Sequence, residues 1–89
     1  MRAIVTVIGK DTVGIIAKVS ETLSQNNINI LEISQTVLSE FFAMLMLVDL
    51  SASALELSDL AAKLDCVGVQ VGLKIHVMHE DIFNSMHRI

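Results

Sequence analysis

Residues 29–50 read NILEISQTVLSEFFAMLMLVDL, and the way this stretch turns back on itself decides the topology of the chain. From Asn29 to Leu38 the residues alternate, with Glu32, Ser34 and Thr36 on one side and Leu31, Ile33 and Val37 on the other. That period of two is the mark of a strand with one polar and one apolar face. Phe41 to Leu50 is apolar on both sides, as a strand covered on both faces would be. Only Ser39 and Glu40 separate the two runs. A link this short predicts an antiparallel hairpin, although neither residue is the glycine that two-residue turns favour.

Working outward, each flank repeats one plan. On the N-terminal side, Ala3 to Ile8 is a β-branched run that reads as a strand ending at Gly9. Asp11 or Thr12 can cap a helix whose apolar positions are Val13, Ile16, Val19 or Ser20, and Leu23, while Lys18, Glu21 and Gln25 take the other side. Asn26 and Asn27 tolerate the left-handed conformation that ends a helix. On the C-terminal side, Ser53 and Glu56 have capping-box spacing. Leu57, Leu60, Ala61, Leu64 and Val67 then form one helical stripe, with Gly68 as its expected stop. VQVGLKIHV, residues 69–77, alternates as a strand, and Ile82, Phe83, Met86 and Ile89 after Glu80 and Asp81 predict a short closing helix.

The expected order is strand, helix, strand, strand, helix, strand. Right-handed crossovers place both helices on one face of a four-stranded antiparallel sheet, an α+β fold of the ferredoxin-like βαββαβ type. A length of 89 residues gives one domain, expected over 1–79, with residues 80–89 as a tail. The chain is 53% hydrophobic, more than so small a domain easily hides, so part of that surface is expected to face another subunit in a homodimer or higher homo-oligomer. A net charge of -4, with no basic cluster and neither Tyr nor Trp, speaks against nucleic-acid binding. MRAIVTVIG lacks a signal-peptide core, and charges interrupt every apolar run. The sequence reads as a soluble cytoplasmic protein without a membrane span.

Catalytic and metal chemistry find little support. Cys66, the single cysteine, has Asp65 beside it and no cation or helix N-terminus to favour a thiolate, so it reads as a packed or partly exposed thiol. His76 and His79, with Glu80, Asp81 and His87 nearby, match no metal-binding spacing, and residues three apart in a strand point to opposite faces. No nucleophile and base are ordered as a pair, so the expectation is no enzyme, no cofactor and no metal site.

The loop GKDTVG, residues 9–14, joins the first strand to the first helix. Taken alone, its residues have plain structural uses. Asp11 is a helix cap, Gly9 and Gly14 serve the turn and close packing, Lys10 is a solvated side chain, and Asn29 satisfies backbone groups near the helix end.

GKDTVGIIAKVSETLSQNNINILEISQTV, residues 9–37, resembles the first half of an ACT domain, the small regulatory module that binds amino acids in metabolic enzymes and occurs in glycine-cleavage repressor proteins. The matching features are a strand ending in Gly-Lys-Asp, a Gly that opens the helix, a Leu late in the helix, and an Asn-Ile that begins the second strand. VIGKDTVGIIA, EISQTVL and the ending IFNSMHRI extend the resemblance over the whole chain, to small stand-alone ACT proteins of bacteria and archaea that are classed as uncharacterised. The resemblance implies a ligand held between two subunits, against this loop and the start of the second strand. Backbone N–H groups at the helix N-terminus suit a carboxylate. Asp11, Gly14 and Asn29 would form the core of the site, with Lys10, Thr12, Val13, Ile15 and Ile30 lining it. Asn29 matches the family's ligand-binding Asn, whereas Asp11 falls where the serine-binding domain of phosphoglycerate dehydrogenase has Asn, and Gly9 where that domain has His. Two functions are therefore expected to compete: a sensor that binds an amino acid or similar metabolite and signals to a partner protein, and an interaction module with no small-molecule ligand.

Overall fold

The computed structural model describes residues 1–10 and 14–86. Its elements follow in the order β1 (Arg2–Lys10), α1 (Ile15–Gln25), β2 (Asn29–Leu38), β3 (Phe41–Asp49), α2 (Leu57–Val71), β4 (Lys74–His79) and α3 (Glu80–Met86). The sheet is antiparallel throughout, with strand order β2-β3-β1-β4, so β3 and β1 are central and β2 and β4 form the edges. This is the expected ferredoxin-like α+β fold with a short C-terminal helix.

The register explains the two faces. Ala3, Val5 and Val7 of β1 stand opposite Val48, Met46 and Met44 of β3, and all six are buried. Val19 and Leu23 of α1, and Leu60 and Leu64 of α2, close over this face. Each such side chain contributes on the order of 1.5–3 kcal/mol through burial. The opposite face carries Ile4, Thr6 and Ile8 of β1 against Leu47, Leu45 and Ala43 of β3. Helix α3 lies over one end of it, where Ile4 is buried. Ile8 and Phe41 at the other end are about half exposed, at 46% and 51%. The hairpin forms as the spacing predicts: Leu38 pairs with Phe41, and Ser39 takes a φ of 57° in the turn.

Four expected details differ. β1 continues through Gly9 to Lys10. A Cβ at Gly9 would run into the Leu73 side chain, so this glycine makes room for a core residue and does not end the strand. α1 begins at Ile15, after Gly14 at φ 87°, whereas the expected caps Asp11 and Thr12, and Val13 with them, lie outside the described residues. The second helix starts one turn late. The Ser53 hydroxyl accepts the Leu55 N–H, and it is the Asp59 carboxylate that receives the Glu56 N–H at the helix start.

The largest correction concerns residues 69–77. Helix α2 runs through Gly68 to Val71, and β4 begins only at Lys74. Gly68 is again a close-contact glycine, since a Cβ there would lie 2.8 Å from the Leu73 carbonyl oxygen. The helix ends instead at Gly72, whose φ of 75° suits only glycine well, and the Leu73 N–H donates back to the Gly68 carbonyl at 2.8 Å.

Candidate functional site

Strand β1 and helix α1 hold the two ends of the GKDTVG loop. Lys10 is exposed at the end of β1 and pairs with Phe41, the first residue of β3. Gly14 opens α1 in the left-handed conformation, with open space where a Cβ would be. Its carbonyl accepts the Lys18 N–H at 2.9 Å. The first helical residues, Ile15, Ile16 and Ala17, carry no acidic side chain to neutralise the positive helix end. Asp11, Thr12 and Val13 lie outside the described residues.

Asn29 and Ile30 belong to the other end of the sheet. Asn29 pairs with Asp49, the last residue of β3, and Ile30 with Val48. Lys10 and Asn29 are therefore separated by the length of β3, eight residue steps or roughly 26 Å. Within one chain, the described residues read from the sequence as one site fall into two groups, with Lys10, Gly14 and Ile15 at one end of the sheet and Asn29 and Ile30 at the other.

Around Asn29 the fold builds a groove of about 560 Å³ between the end of α1 and the start of β2. Ser20, Ser24, Asn27, Asn29 and Ile30 line it, with Ala52 from the β3–α2 connection. All of its polar side chains are uncharged. Asn27 holds φ 57°, and the Ile28 N–H donates to the Leu23 carbonyl at 3.0 Å, so the turn into β2 is fixed by backbone bonds. Ile30 is half-buried against the core and gives the groove an apolar wall. Sequence reasoning missed Ser20, Ser24, Asn27 and Ala52. The two serines stand four apart, on one helix face and in line with the Asn pair, which is the signal that could have found them.

Next to the groove, Asp49 accepts hydrogen bonds from the Ser51 hydroxyl at 2.6 Å and from the Ser51 N–H at 2.9 Å, and these hold its carboxyl below the ordinary value of 3.8. The histidines do not converge. His76 is exposed on β4, and the half-buried His79 uses Nδ1 to accept the Asp81 N–H at 3.0 Å. Among the described residues no three His, Cys, Asp or Glu side chains come together, and His87 lies outside them. Cys66 is an exposed free thiol. No helix among the described residues is long and apolar enough to cross a membrane.

Comparison with known proteins gives this arrangement a family. The model of the ACT domain matches residues 2–78. A UPF0237 protein of Clostridium acetobutylicum is 52% identical over 89 residues, the whole of both chains. An ACT domain protein from Streptococcus pneumoniae superposes with a TM-score of 0.83 at 38% identity, covering 98% of each chain. The regulatory subunit of aspartate kinase from Thermus thermophilus, in its ligand-free form, is similar at a TM-score of 0.65 and 25% identity, over 85% of this chain and 49% of that one. None of these similarities points to a catalytic family. The fold, the strand order and the match over nearly the whole length lead to one conclusion: this chain belongs to the ACT domain family, a regulatory fold that binds small molecules.

Proposed function

We propose that the chain is a regulatory module that binds an amino acid or a similar small polar metabolite between two copies of itself and signals to a partner protein. The observation that carries this reading is the separation of Lys10 from Asn29 along β3. A two-fold axis beside edge strand β2 would run two copies of β2 antiparallel, bringing the Asn29 end of one against the Lys10–Gly14 end of the other. Each site would then take the groove of one subunit and the GKDTVG loop of its partner: Asn29 and Ile30 from the first, Lys10, Asp11, Thr12, Val13, Gly14 and Ile15 from the second. The loop's helix end would receive the carboxylate, and the neutral groove the rest of the ligand.

The β2 edge itself supports self-association. It is ten residues long and exposes Leu31, Ile33 and Val37, which an unpaired edge in water would not favour. In this reading residues 1–79 are the binding unit and 80–89 an appended tail. The interaction-module alternative draws on a different feature, the half-exposed Ile8 and Phe41 on the open sheet face.

A thermal-unfolding screen against the amino acids at fixed protein concentration tests the proposal. A ligand at about 100 times its Kd adds roughly 2.7 kcal/mol, a shift of several degrees for a domain of this size. The expected result is a shift for one amino acid or a narrow class, lost in Asn29→Ala. A flat response across the panel would favour the interaction module.

A further inference from the structure

Helix α3 leaves a second cavity on the face of the sheet that α1 and α2 do not cover. It measures about 230 Å³ and runs between α3 and strands β1, β2 and β3. Ile4, Leu45, Leu47 and Phe83 form its apolar walls, and Glu32, Ser34 and Asn84 stand at its rim. At roughly 30 Å³ per water molecule, the space equals seven or eight waters, enough for a five-carbon ligand.

The carboxylate at the rim is there because of an irregularity in β2. The register slips between Ile30 and Glu32, so Leu31 is an extra residue without a partner on β3. With strict alternation Glu32 would share a face with Ile30. The bulge turns Glu32 to the open face, opposite Leu47, and Ser34 follows opposite Leu45. The ion pairs among the described residues join the N-terminus to Asp49 and Arg2 to Glu80, and leave Glu32 without one.

We propose that this cleft is a second small-molecule site, separate from the Asn29 groove, which takes a primary alkylammonium: the apolar stem lies between Phe83 and Leu45, and the ammonium group meets the Glu32 carboxylate. Charge complementarity selects the class. A carboxylate would face Glu32 and, beside it, Glu80, while a neutral hydrocarbon would leave the rim unmatched. Arg2 already occupies Glu80, so Glu32 is the group left to recognise a cation.

The test is a titration of the intact protein with isopentylamine, isopentanol and isovalerate, followed by methyl and aromatic NMR signals. The amine is expected to saturate, shifting Ile4, Leu45, Leu47 and Phe83 while Val19 and Leu60 in the helix-side core stay still. Glu32→Gln should weaken the amine by roughly two- to fivefold, in line with an exposed ion pair, and bring it level with the alcohol. Glu32 is exposed, so this variant leaves the core untouched. Phe83→Ala should abolish saturation. Equal responses to all three probes, or an amine affinity unchanged by Glu32→Gln, would overturn the proposal. Shifts of the same signals on protein dilution without any probe would assign the cleft to a second copy and overturn it as well.

Discussion

Leu73 is the residue around which two glycines make sense. Gly9 on β1 and Gly68 on α2 both lack a side chain where Leu73 packs, and Leu73 is buried between them. Gly68→Ala gains about 1 kcal/mol of helix propensity. Its Cβ would nevertheless meet a backbone oxygen, and overpacking of that kind costs about 1–3 kcal/mol, so urea unfolding should show a net loss. Ser39 gives the opposite case. It holds a left-handed φ of 57° that a side chain disfavours, so Ser39→Gly should raise stability by about 0.5–1 kcal/mol. Asp49 is expected to contribute to the acid limb of stability. Its folded pKa is lowered by the Ser51 hydroxyl and then by the Ser51 N–H, so its contribution is present above pH 3.8 and is lost as pH falls through the lower folded value. In Asp49→Asn the acid limb of a stability-versus-pH curve should be flatter. At this scale the sequence shows which residues are glycines but not what they are for. The clash that needs Gly68 involves Leu73, which is near in sequence only across a turn that has to be known first.

At the scale of elements, β1, α1 and the β2–β3 hairpin were legible because local pattern and tertiary burial agree. Residues 69–73, the first half of the expected last strand, were not, whereas Lys74 to Val77 do lie in β4. Their alternation is real, but Val69 is 77% exposed on the helix, and the 3–4 spacing of Leu57, Leu60, Leu64 and Val67 carries α2 past Gly68. The period of two that begins at Val69 cannot outweigh, over residues 69–71, a helix already packed on the core. The β2 bulge was also invisible to periodicity, which placed Leu31 in line with Ile33. Its role can be tested by deletion. Removing Leu31 takes out the unpaired residue and keeps every other partner, so stability should stay within about 1 kcal/mol of the parent. Removing Ile33 lets Leu31 fill the place opposite Leu47 and sets the Glu32 carboxylate opposite Met46 on the helix-side face, and the same denaturant titration should show a larger loss.

For the whole molecule, the sequence names candidate site residues and does not say where the fold puts them. The resemblance grouped Lys10 to Ile15 with Asn29 and Ile30, yet one chain separates Lys10, Gly14 and Ile15 from Asn29 and Ile30 by the length of the sheet, because α1 carries the chain from one end to the other. Assembly is the step that sequence periodicity does not contain. If β2 edges pair, Val37→Lys, on a residue that is 60% exposed, should shift sedimentation equilibrium toward monomer at micromolar concentration without unfolding the chain. Ligand affinity should fall with it.

The most direct measurement is complementation between two damaged copies. In the proposed site Asp11→Ala would disable the loop half and Asn29→Ala the groove half, so neither homodimer should bind an amino acid that the thermal screen selects. Mixed in equal amounts and allowed to exchange subunits, the two variants form heterodimers with one intact site each, and calorimetry should recover about one site per four chains at parental affinity. A mixture that binds no better than either variant alone would contradict a site shared between two copies.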